Sequence, residues 1–197
     1  MNHSLTIYAI DDGYFPLDKR KHNYTLIVTV KFLVHPNEKV IIFNDILVER
    51  VKIDSLEVTE KIEKMLEAYG PSPDDIVLLD GITYAGFSVV DLKRIRKITK
   101  KIIVFFYRPL DLEKIKNALI KNFHDWKLRY NIIENVYSNS IIVEINNITA
   151  RIYSTFDIME TKSVLERIIL FSPIPEPLRI AHIIASTLSK KTIYKNK

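Results

Sequence analysis

The strongest constraint on the fold of this chain is a change in hydrophobic pattern near residue 54. Before it, apolar residues form short runs or alternate with polar residues, which is typical of β-strands. Beyond it, segments with apolar residues at helical spacing alternate with short apolar runs. Strands first, followed by alternating helices and strands, predict an α/β sheet that begins antiparallel and continues parallel.

The first part of the chain predicts an antiparallel meander. The expected strands are Leu5–Ile10, Tyr24–Val34, Val40–Phe43 and Ile46–Ile53. Asn44-Asp45 is expected to form a turn between the last two strands, because both residue types favour turns.

The second part predicts helices packed on a parallel half-sheet. A helix over residues 58–69 is expected to end at Gly70-Pro71, because glycine suits a left-handed helix cap and proline cannot continue a helix. The later strands are expected at Ile76–Leu79, Ile102–Tyr107, Ser140–Ile145 and Ile148–Ser154, and the later helices at Val89–Thr99, Leu112–Phe123, Ile158–Leu170 and Leu178–Leu188. This order predicts a ribonuclease-H-like α/β fold: a mixed sheet with an antiparallel meander followed by a parallel βαβα unit, flanked by helices. Residues 1–189 would form a single domain, and the lysine-rich residues 190–197 a basic flexible tail.

The absence of cysteine narrows both chemistry and location. None of the 197 residues is a cysteine, so disulfides, thiolate metal sites and a cysteine nucleophile are excluded. We therefore expect a reducing, cytoplasmic environment. The longest uninterrupted apolar run, Ile102–Tyr107, is far below the roughly 18 residues of a membrane helix, so no membrane partner is expected.

Positive charge is concentrated in one part of the chain. The formal net charge is +5, but Asp91–Ile132 alone contains twelve Lys and Arg against four Asp and Glu. Such segregation favours a nucleic-acid or phosphate partner. A solvated helical surface with a basic bias explains the same pattern equally well.

Two predicted apolar strands each end in an aspartate. Asp11 is followed by Asp12-Gly13, and Asp80 is followed directly by Gly81. Ligands of α/β sheets gather beyond the carboxyl ends of parallel strands, so these two carboxylates are expected to be neighbours. A divalent cation would relieve their repulsion, and oxygen ligands favour Mg²⁺ or Mn²⁺. The alternative is that each Asp only forms a turn before glycine.

Asp54 is the candidate third acid, at the junction of the meander and the first helix. Its alternative role is structural, because Asp54 and Glu57 have the spacing of a helix capping box. Asp12, Glu57, Glu60 and Asp91 are possible additional acids, and the sequence leaves the third carboxylate open among Asp54, Glu57 and Glu60.

Three further polar residues are candidates for binding phosphate or DNA. Arg179 and His182 are three residues apart on the last predicted helix, opposite its apolar face. Arg108 follows a predicted strand, where a cation would bind a substrate phosphate. His182 could also act as a metal ligand or a proton carrier, but a lone histidine on such a helix is more often simply hydrogen-bonded. Arg108 also fits a plain surface residue.

Three segments of the chain carry a family resemblance. They are YAIDDG at residues 8–13, LLDGITYAGFSVVD at residues 78–91 and PEPLRIAHIIAS at residues 175–186. Together they resemble the endonuclease dU family, which is distantly related to endonuclease V. The resemblance implies a metal-dependent endonuclease that hydrolyses a phosphodiester of DNA at or near deaminated bases, in DNA repair. Deoxyuridine would be the main lesion and deoxyinosine a lesser one.

The resemblance also implies roles for single residues. Asp11, Asp54 and Asp80 would be the catalytic acids and would hold one or two Mg²⁺ or Mn²⁺ ions. The position of Arg108 is close to that of the phosphate-contacting lysine in the endonuclease V sequence. The position of His182 is close to that of a polar residue in the last helix of endonuclease V.

The chain departs from the endonuclease V pattern at three points. It has Asp-Gly-Ile-Thr in place of Asp-Gly-His-Gly, Asp54 where endonuclease V has Glu, and no Pro-Tyr-x-Pro wedge for lesion recognition ahead of that acid. A base pocket would then need other residues, and Tyr84 and Phe87, beside Asp80, are the candidates.

Two other functions are compatible with the sequence. A non-catalytic nucleic-acid-binding module would use the same basic segment, but it would not explain converging carboxylates. A metal-dependent phosphatase of small phosphoesters would use Asp11 as nucleophile, although the D-x-D-G-T motif of the commonest such family is missing. The sequence leaves open the oligomeric state, the number of metals, the position of the cut and the choice between DNA and RNA.

Overall fold

The computed structural model describes residues 4–15, 23–35 and 39–195. A seven-stranded sheet lies between two layers of helices, and a small two-stranded hairpin stands apart from it. The strands are β1 Leu5–Asp12, β2 Tyr24–Val34, β3 Ile41–Lys52, β4 Ile76–Asp80, β5 Thr83–Tyr84, β6 Ser88–Val89, β7 Lys101–Phe106, β8 Ile141–Ile145 and β9 Ile148–Ser154. The helices are α1 Val58–Tyr69, α2 Leu92–Ile95, α3 Leu112–Asn122, α4 Trp126–Ser138, α5 Ile158–Ile168 and α6 Glu176–Lys195.

The sheet is mixed, with strand order β3-β2-β1-β4-β7-β9-β8. β1, β4 and β7 run parallel to one another in its centre. β2 and β3 extend it antiparallel on one side, and the hairpin of β9 and β8 does so on the other. The predicted fold class is confirmed: a meander followed by parallel strands, with helices on both faces.

The central strands are buried on both faces, which is why they appear in the sequence as continuous apolar runs. Along β1, Tyr8 and Ile10 face the layer of α1 to α4, whereas Ile7 and Ala9 face the layer of α5 and α6. Because the three parallel strands end at the same side of the sheet, the residues at their carboxyl ends meet there. We call this side the carboxyl edge; it carries Asp11, Asp80 and Arg108.

The meander differs from its prediction in β3, which is one strand instead of two. Phe32 pairs with Phe43 and Lys31 pairs with Asp45, so Asn44 is an extra residue opposite the partner strand. Asn44-Asp45 is therefore part of a β-bulge, and not the expected turn.

The helices differ from their predictions at three places. The expected helix Val89–Thr99 is reduced to the short α2, because Ser88–Val89 instead pairs with Thr83–Tyr84. α4 was not expected, since the buried Arg129 interrupts its apolar face. α6 continues to Lys195, through most of the residues expected to form a flexible tail. Within the described ranges, no helix is long and apolar enough to cross a membrane.

Candidate active site

Asp11 and Asp80 are neighbours at the carboxyl edge. The parallel register pairs Ile10 with Leu79, so the next residue of each strand is one of the two acids. Alternation along the strands places both side chains on the face covered by α6, where Ala9 and Leu78 also lie. The structure thus brings together the two acids that the sequence predicted to be neighbours.

His182 of α6 contacts Asp11, one member of this acid pair. Its Nδ1 is 2.7 Å from Asp11 Oδ2, at hydrogen-bond distance. The Asp11 side chain is 5% exposed and that of His182 is 63% exposed, so the imidazole lies between a buried acid and solvent. α6 approaches β1 closely because Gly13 has no side chain: a Cβ there would lie only 2.7 Å from the carbonyl oxygen of Ala185.

The electrostatics of the pair favour a bound cation. Burial raises the pKa of Asp11, and the charges of Asp80 and Asp12 raise it further. Burial also raises the pKa of Asp80, an effect that nearby His182 partly offsets. A positive ion between the carboxylates would stabilise their ionised forms. Mg²⁺ is commonly held by one or two carboxylates together with water and substrate phosphate oxygens, so the donor set fits such an ion.

Asp12 points to the opposite face of the sheet from Asp11. Its Oδ2 accepts a hydrogen bond from the amide of Ala85, in the three residues Ala85–Phe87 that connect β5 to β6. We call this connection the 85–87 loop. Burial raises the pKa of Asp12 to about 7 against the lowering effect of the Ala85 amide, and the charge of Asp80 adds to the rise.

Asp54 holds the other end of the 85–87 loop. Its Oδ1 accepts a hydrogen bond from the amide of Phe87 at 2.9 Å, and its own amide donates to the carbonyl of Ala85 at 2.9 Å. The side chain packs so closely on Gly86 that a Cβ at that position would overlap with Asp54 Oδ1. Asp54 itself lies in a tight turn and has a left-handed backbone conformation, with φ 61°.

The expected cluster of three acids is not assembled. Among residues 4–15, 23–35 and 39–195, no three His, Asp or Glu side chains are grouped so that they could hold a metal ion. The structure places Asp11 and Asp80 side by side, and it places Asp12 and Asp54 on the 85–87 loop.

The other candidate acids have structural contacts. The capping box of Asp54 and Glu57 is wrong, because α1 begins after Glu57 without a side-chain cap. Glu57 Oε1 instead accepts from the amide of Lys52 at 2.6 Å. Asp91 caps α2 by accepting from the amide of Lys93, and Glu60 is exposed in the first turn of α1.

The two candidate arginines lie in different surroundings. Arg108 is exposed at the carboxyl edge, just beyond β7, with its guanidinium 5.6 Å from the centre of the Tyr107 ring. Arg179 lies one turn before His182, but its Nε and Nη2 each contact Glu176 Oε2 at 2.7 Å. Arg108 therefore has the more accessible charge.

The basic segment does not form one continuous face. Lys101 begins β7 and Arg108 follows its end, so the strand separates the two charges. Lys101 contacts Glu160 and Asp74, Arg94 contacts Glu63, and Lys114 contacts Asp111. These ion pairs reduce the positive charge that the segment offers to a polyanion.

The two candidate pocket residues are packed against protein. Tyr84 is 1% exposed, and its hydroxyl donates to the carbonyl of Ile10 at 3.3 Å. It therefore lines no open pocket in this conformation, contrary to expectation. Phe87 is partly buried and packs edge to face on Phe123, with ring centres 5.7 Å apart.

Sequence reasoning missed Arg129, which contacts the 85–87 loop from α4. It is 4% exposed, and its Nη1 donates to the carbonyl of Phe87 at 2.6 Å. The one available signal was Asp125, four residues earlier, at the spacing of a helical ion pair.

Comparisons with solved structures place the fold among endonuclease V proteins. A protein of unknown function from Archaeoglobus fulgidus aligns with a TM-score of 0.70 and 23% identity, over 94% of this chain and 98% of its own. Endonuclease V from Bacillus subtilis aligns with a TM-score of 0.53 and 13% identity, over 98% and 83%. Endonuclease V from Ciona intestinalis, in complex with a DNA containing inosine, aligns with a TM-score of 0.51 and 13% identity, over 98% and 87%.

Sequence comparisons identify the family. The UPF0215 protein of Sulfurisphaera tokodaii is 32% identical over 186 residues, which is 94% of this chain and 95% of that protein. The UPF0215 protein of Pyrococcus furiosus is 32% identical over 191 residues, covering 94% and 93%. The family model described as endonuclease dU matches residues 3–189. The chain therefore belongs to the endonuclease dU family.

Proposed function

We propose that this nuclease-family protein is a divalent-metal-dependent endonuclease that cuts DNA at or near deaminated bases, as a step of DNA repair. Deoxyuridine would be its main lesion and deoxyinosine a lesser one. The observation that carries the proposal is the pair of the buried Asp11 and the half-buried Asp80 at the carboxyl edge of the sheet, with His182 in contact with Asp11. Family membership supports the nuclease class.

Asp11 and Asp80 would hold Mg²⁺ or Mn²⁺. The ion would supply an activated water and charge stabilisation for the leaving oxygen. Asp54 would be the third acid, although in the described residues it is not grouped with this pair. Its Oδ1 accepts a hydrogen bond from the Phe87 amide, so it would act on the site through the 85–87 loop. Asp12, a further candidate acid, points to the opposite face of the sheet from Asp11, so it would contribute through its hydrogen bond to the 85–87 loop.

His182 would carry a proton at this site. Its Nδ1 contacts Asp11 while most of the imidazole is exposed, so the second ring nitrogen can exchange a proton with substrate or solvent. Arg108, exposed at the same edge, would neutralise a phosphate of the DNA. Arg179 would contribute less, since Glu176 already balances its charge.

The lesion would be read as an unstacked base beside the acid pair. Deamination of cytosine replaces an exocyclic donor by an acceptor, so hydrogen bonds to that edge can distinguish uracil from cytosine. Thymine shares this edge and would be excluded by a pocket too tight for its methyl group. Phe87 and the main chain of the 85–87 loop would form one wall. Tyr84, which is buried and directly precedes the 85–87 loop, would support this wall from the protein interior.

An incision assay tests the proposal directly. We expect Mg²⁺-dependent cutting of a labelled duplex with one uracil, weaker cutting with hypoxanthine and none with cytosine or thymine at that position. EDTA should abolish cutting, and Asp80→Asn should lower the rate by about a hundredfold or more, because a metal ligand is lost. Asp74→Asn is the matched control, since Asp74 is an exposed acid before β4 that pairs with Lys101.

Three results would contradict the proposal. Full activity of Asp80→Asn would remove the acid pair from the mechanism. Binding of DNA that EDTA leaves unchanged, without cutting, would indicate a non-catalytic binding module. Release of inorganic phosphate from free nucleotides, without cutting of DNA, would indicate a phosphatase.

A further inference from the structure

Arg129 is a buried cation that is held in a single orientation. Its Nε and Nη2 donate to the two carboxylate oxygens of Asp125, both at 2.9 Å. The guanidinium also lies over the ring of Phe123, 4.5 Å from its centre. A planar guanidinium that makes two hydrogen bonds to one carboxylate and also lies over an aromatic ring has little conformational freedom.

The remaining donor of Arg129 joins two distant segments of the main chain. Nη1 donates to the carbonyl of Phe87 at 2.6 Å and lies 3.5 Å from the carbonyl of Ser55. Phe87 is the last residue of the 85–87 loop, and Ser55 directly follows Asp54. One guanidinium therefore connects α4 to the segment that contains Asp54 and to the loop on which Asp54 packs.

These two segments have backbone conformations that need support. Asp54 has φ 61°, Ala85 has φ 45° and Gly86 has φ 86°. Left-handed conformations of residues other than glycine cost about 1–3 kcal/mol and persist only where the surroundings fix them. Here the amides of Ala85 and Phe87 donate to Asp12 and Asp54, so the same backbone that is strained also orients two acids.

We propose that Arg129 is a positioning residue for Asp12 and Asp54, the two acids that are hydrogen-bonded to the 85–87 loop. Locked by Asp125, it holds the 85–87 loop and the Asp54 turn together, and thereby fixes the carboxylates of Asp12 and Asp54. The inference rests on the proposed nuclease function. Because Arg129 is buried, it acts on the chemical step through these acids and does not contact the DNA.

The kinetic test uses three variants on the uracil duplex, well below their unfolding temperatures. Arg129→Met keeps most of the side-chain volume without the charge. Arg129→Lys keeps the charge without the planar guanidinium. Arg151→Met is the matched control, because Arg151 also donates to a carbonyl, that of Ser140, and also lies over an aromatic ring.

We expect Arg129→Met to lower kcat by about 10- to 100-fold, as for other losses of outer support in an active site. The KM for DNA should stay unchanged, since no DNA contact is lost. Arg129→Lys should restore only part of the rate. Arg151→Met should keep the wild-type kcat and KM.

Amide hydrogen exchange of the metal-free protein gives a second readout that does not depend on activity. The amides of Ala85 and Phe87 should exchange at least about tenfold faster in Arg129→Met, because the loop opens more often. The amides of β1 should exchange as in the wild type. If only the global unfolding rate changed, both sets would change together.

The two tests separate failure of the inference from failure of the proposed function. Wild-type kcat in Arg129→Met, or an equal loss in Arg151→Met, would overturn the inference. Unchanged exchange at Ala85 and Phe87 would overturn it as well, even in a wild type that does not cut uracil DNA. Absence of wild-type cutting counts against the proposed function, and faster loop exchange would then still support positioning by Arg129.

Discussion

Burial raises the pKa of both Asp11 and Asp80, and the charge of Asp80 raises the pKa of Asp11 further. A carboxyl group whose pKa is raised by folding stabilises the folded state at low pH and loses that contribution as the pH rises. For Asp11 the loss begins near the unfolded pKa of about 4 and is complete above the folded pKa of about 9. A bound cation would offset this cost by stabilising the ionised forms.

This linkage gives a prediction for Asp11→Asn. The free energy of unfolding of the wild type, measured in EDTA by urea denaturation, should fall between pH 5 and pH 8.5. In Asp11→Asn the fall should be smaller, because the neutral amide has no charge to desolvate and its oxygen still accepts from the amide of residue 12. At pH 8.5 the variant should be more stable than the wild type by about 1–3 kcal/mol.

Asp74→Asn serves as the control for this measurement, because Asp74 is exposed and its loss should leave the pH dependence unchanged. The same pH dependence in Asp11→Asn and the wild type would show that Asp11 ionises without penalty. The electrostatic argument for a bound cation would then fail.

The acid pair could be predicted from the sequence because each acid ends an apolar strand, and parallel strands align their ends. The positions of Asp12 and Asp54 could not. The side chain of Asp12 leaves the sheet on the opposite face, and its partner is the main chain of a loop 73 residues away. Asp54 has a left-handed backbone, which no local pattern around it indicates.

At the scale of elements, α6 packs closely on the glycine that directly follows β1, Gly13. A Cβ on Gly13 would lie 2.5 Å from Ser189 Oγ and 2.7 Å from the carbonyl oxygen of Ala185. The second contact is with main chain, so rotation of a side chain cannot relieve it. The distance of α6 from the sheet, and with it the position of His182, depends on this glycine.

We predict that Gly13→Ala lowers the free energy of unfolding by about 1–3 kcal/mol through overpacking and also lowers the incision rate, because His182 moves with α6. Gly70→Ala is the matched control. Gly70 caps α1 with φ 60° and open space around it, so the substitution should cost about 1–2 kcal/mol from the left-handed backbone alone. Urea denaturation and the uracil assay measure both effects.

Wild-type activity in Gly13→Ala, or equal activity loss in the two alanine variants, would contradict this account. Only Gly13→Ala is expected to change the active site, although both alanine substitutions should reduce stability.

Element bounds could be predicted where local pattern and packing agree. β2 and α1 have the expected bounds, and the hairpin of β8 and β9 turns at Asn146-Asn147, both in left-handed conformation as an Asn-Asn hairpin turn needs. The β-bulge at Asn44 depends on pairing with β2, and α4 buries an arginine on its inner face. Both are consequences of tertiary contacts, which short-range periodicity does not contain.

At the scale of the whole molecule, positive charge is divided between the two ends of the central strands. Arg108 lies at the carboxyl edge, while Lys101 lies at the other end of β7 and contacts Glu160 at 2.8 Å and Asp74 at 3.3 Å. The net charge of +5 therefore says less about DNA binding than the position of each cation.

This division predicts different salt dependences for two neutralising substitutions. Arg108→Gln should weaken DNA binding and reduce the slope of log K against log salt by about 1, as expected for one lost phosphate contact. Lys101→Gln should leave the slope unchanged. Fluorescence anisotropy in Ca²⁺ with a labelled duplex measures both, and equal slopes for Arg108→Gln and the wild type would exclude a phosphate contact of Arg108.

The contact between His182 and Asp11 spans 171 positions of the chain. A polypeptide leaving the ribosome acquires Asp11 early and His182 only after about 10–35 s of further synthesis, at the usual elongation rates. Until then α6 has not been synthesised, and His182 cannot contact Asp11. The pairing of His182 with Asp11 can therefore form only after nearly the whole chain has been synthesised.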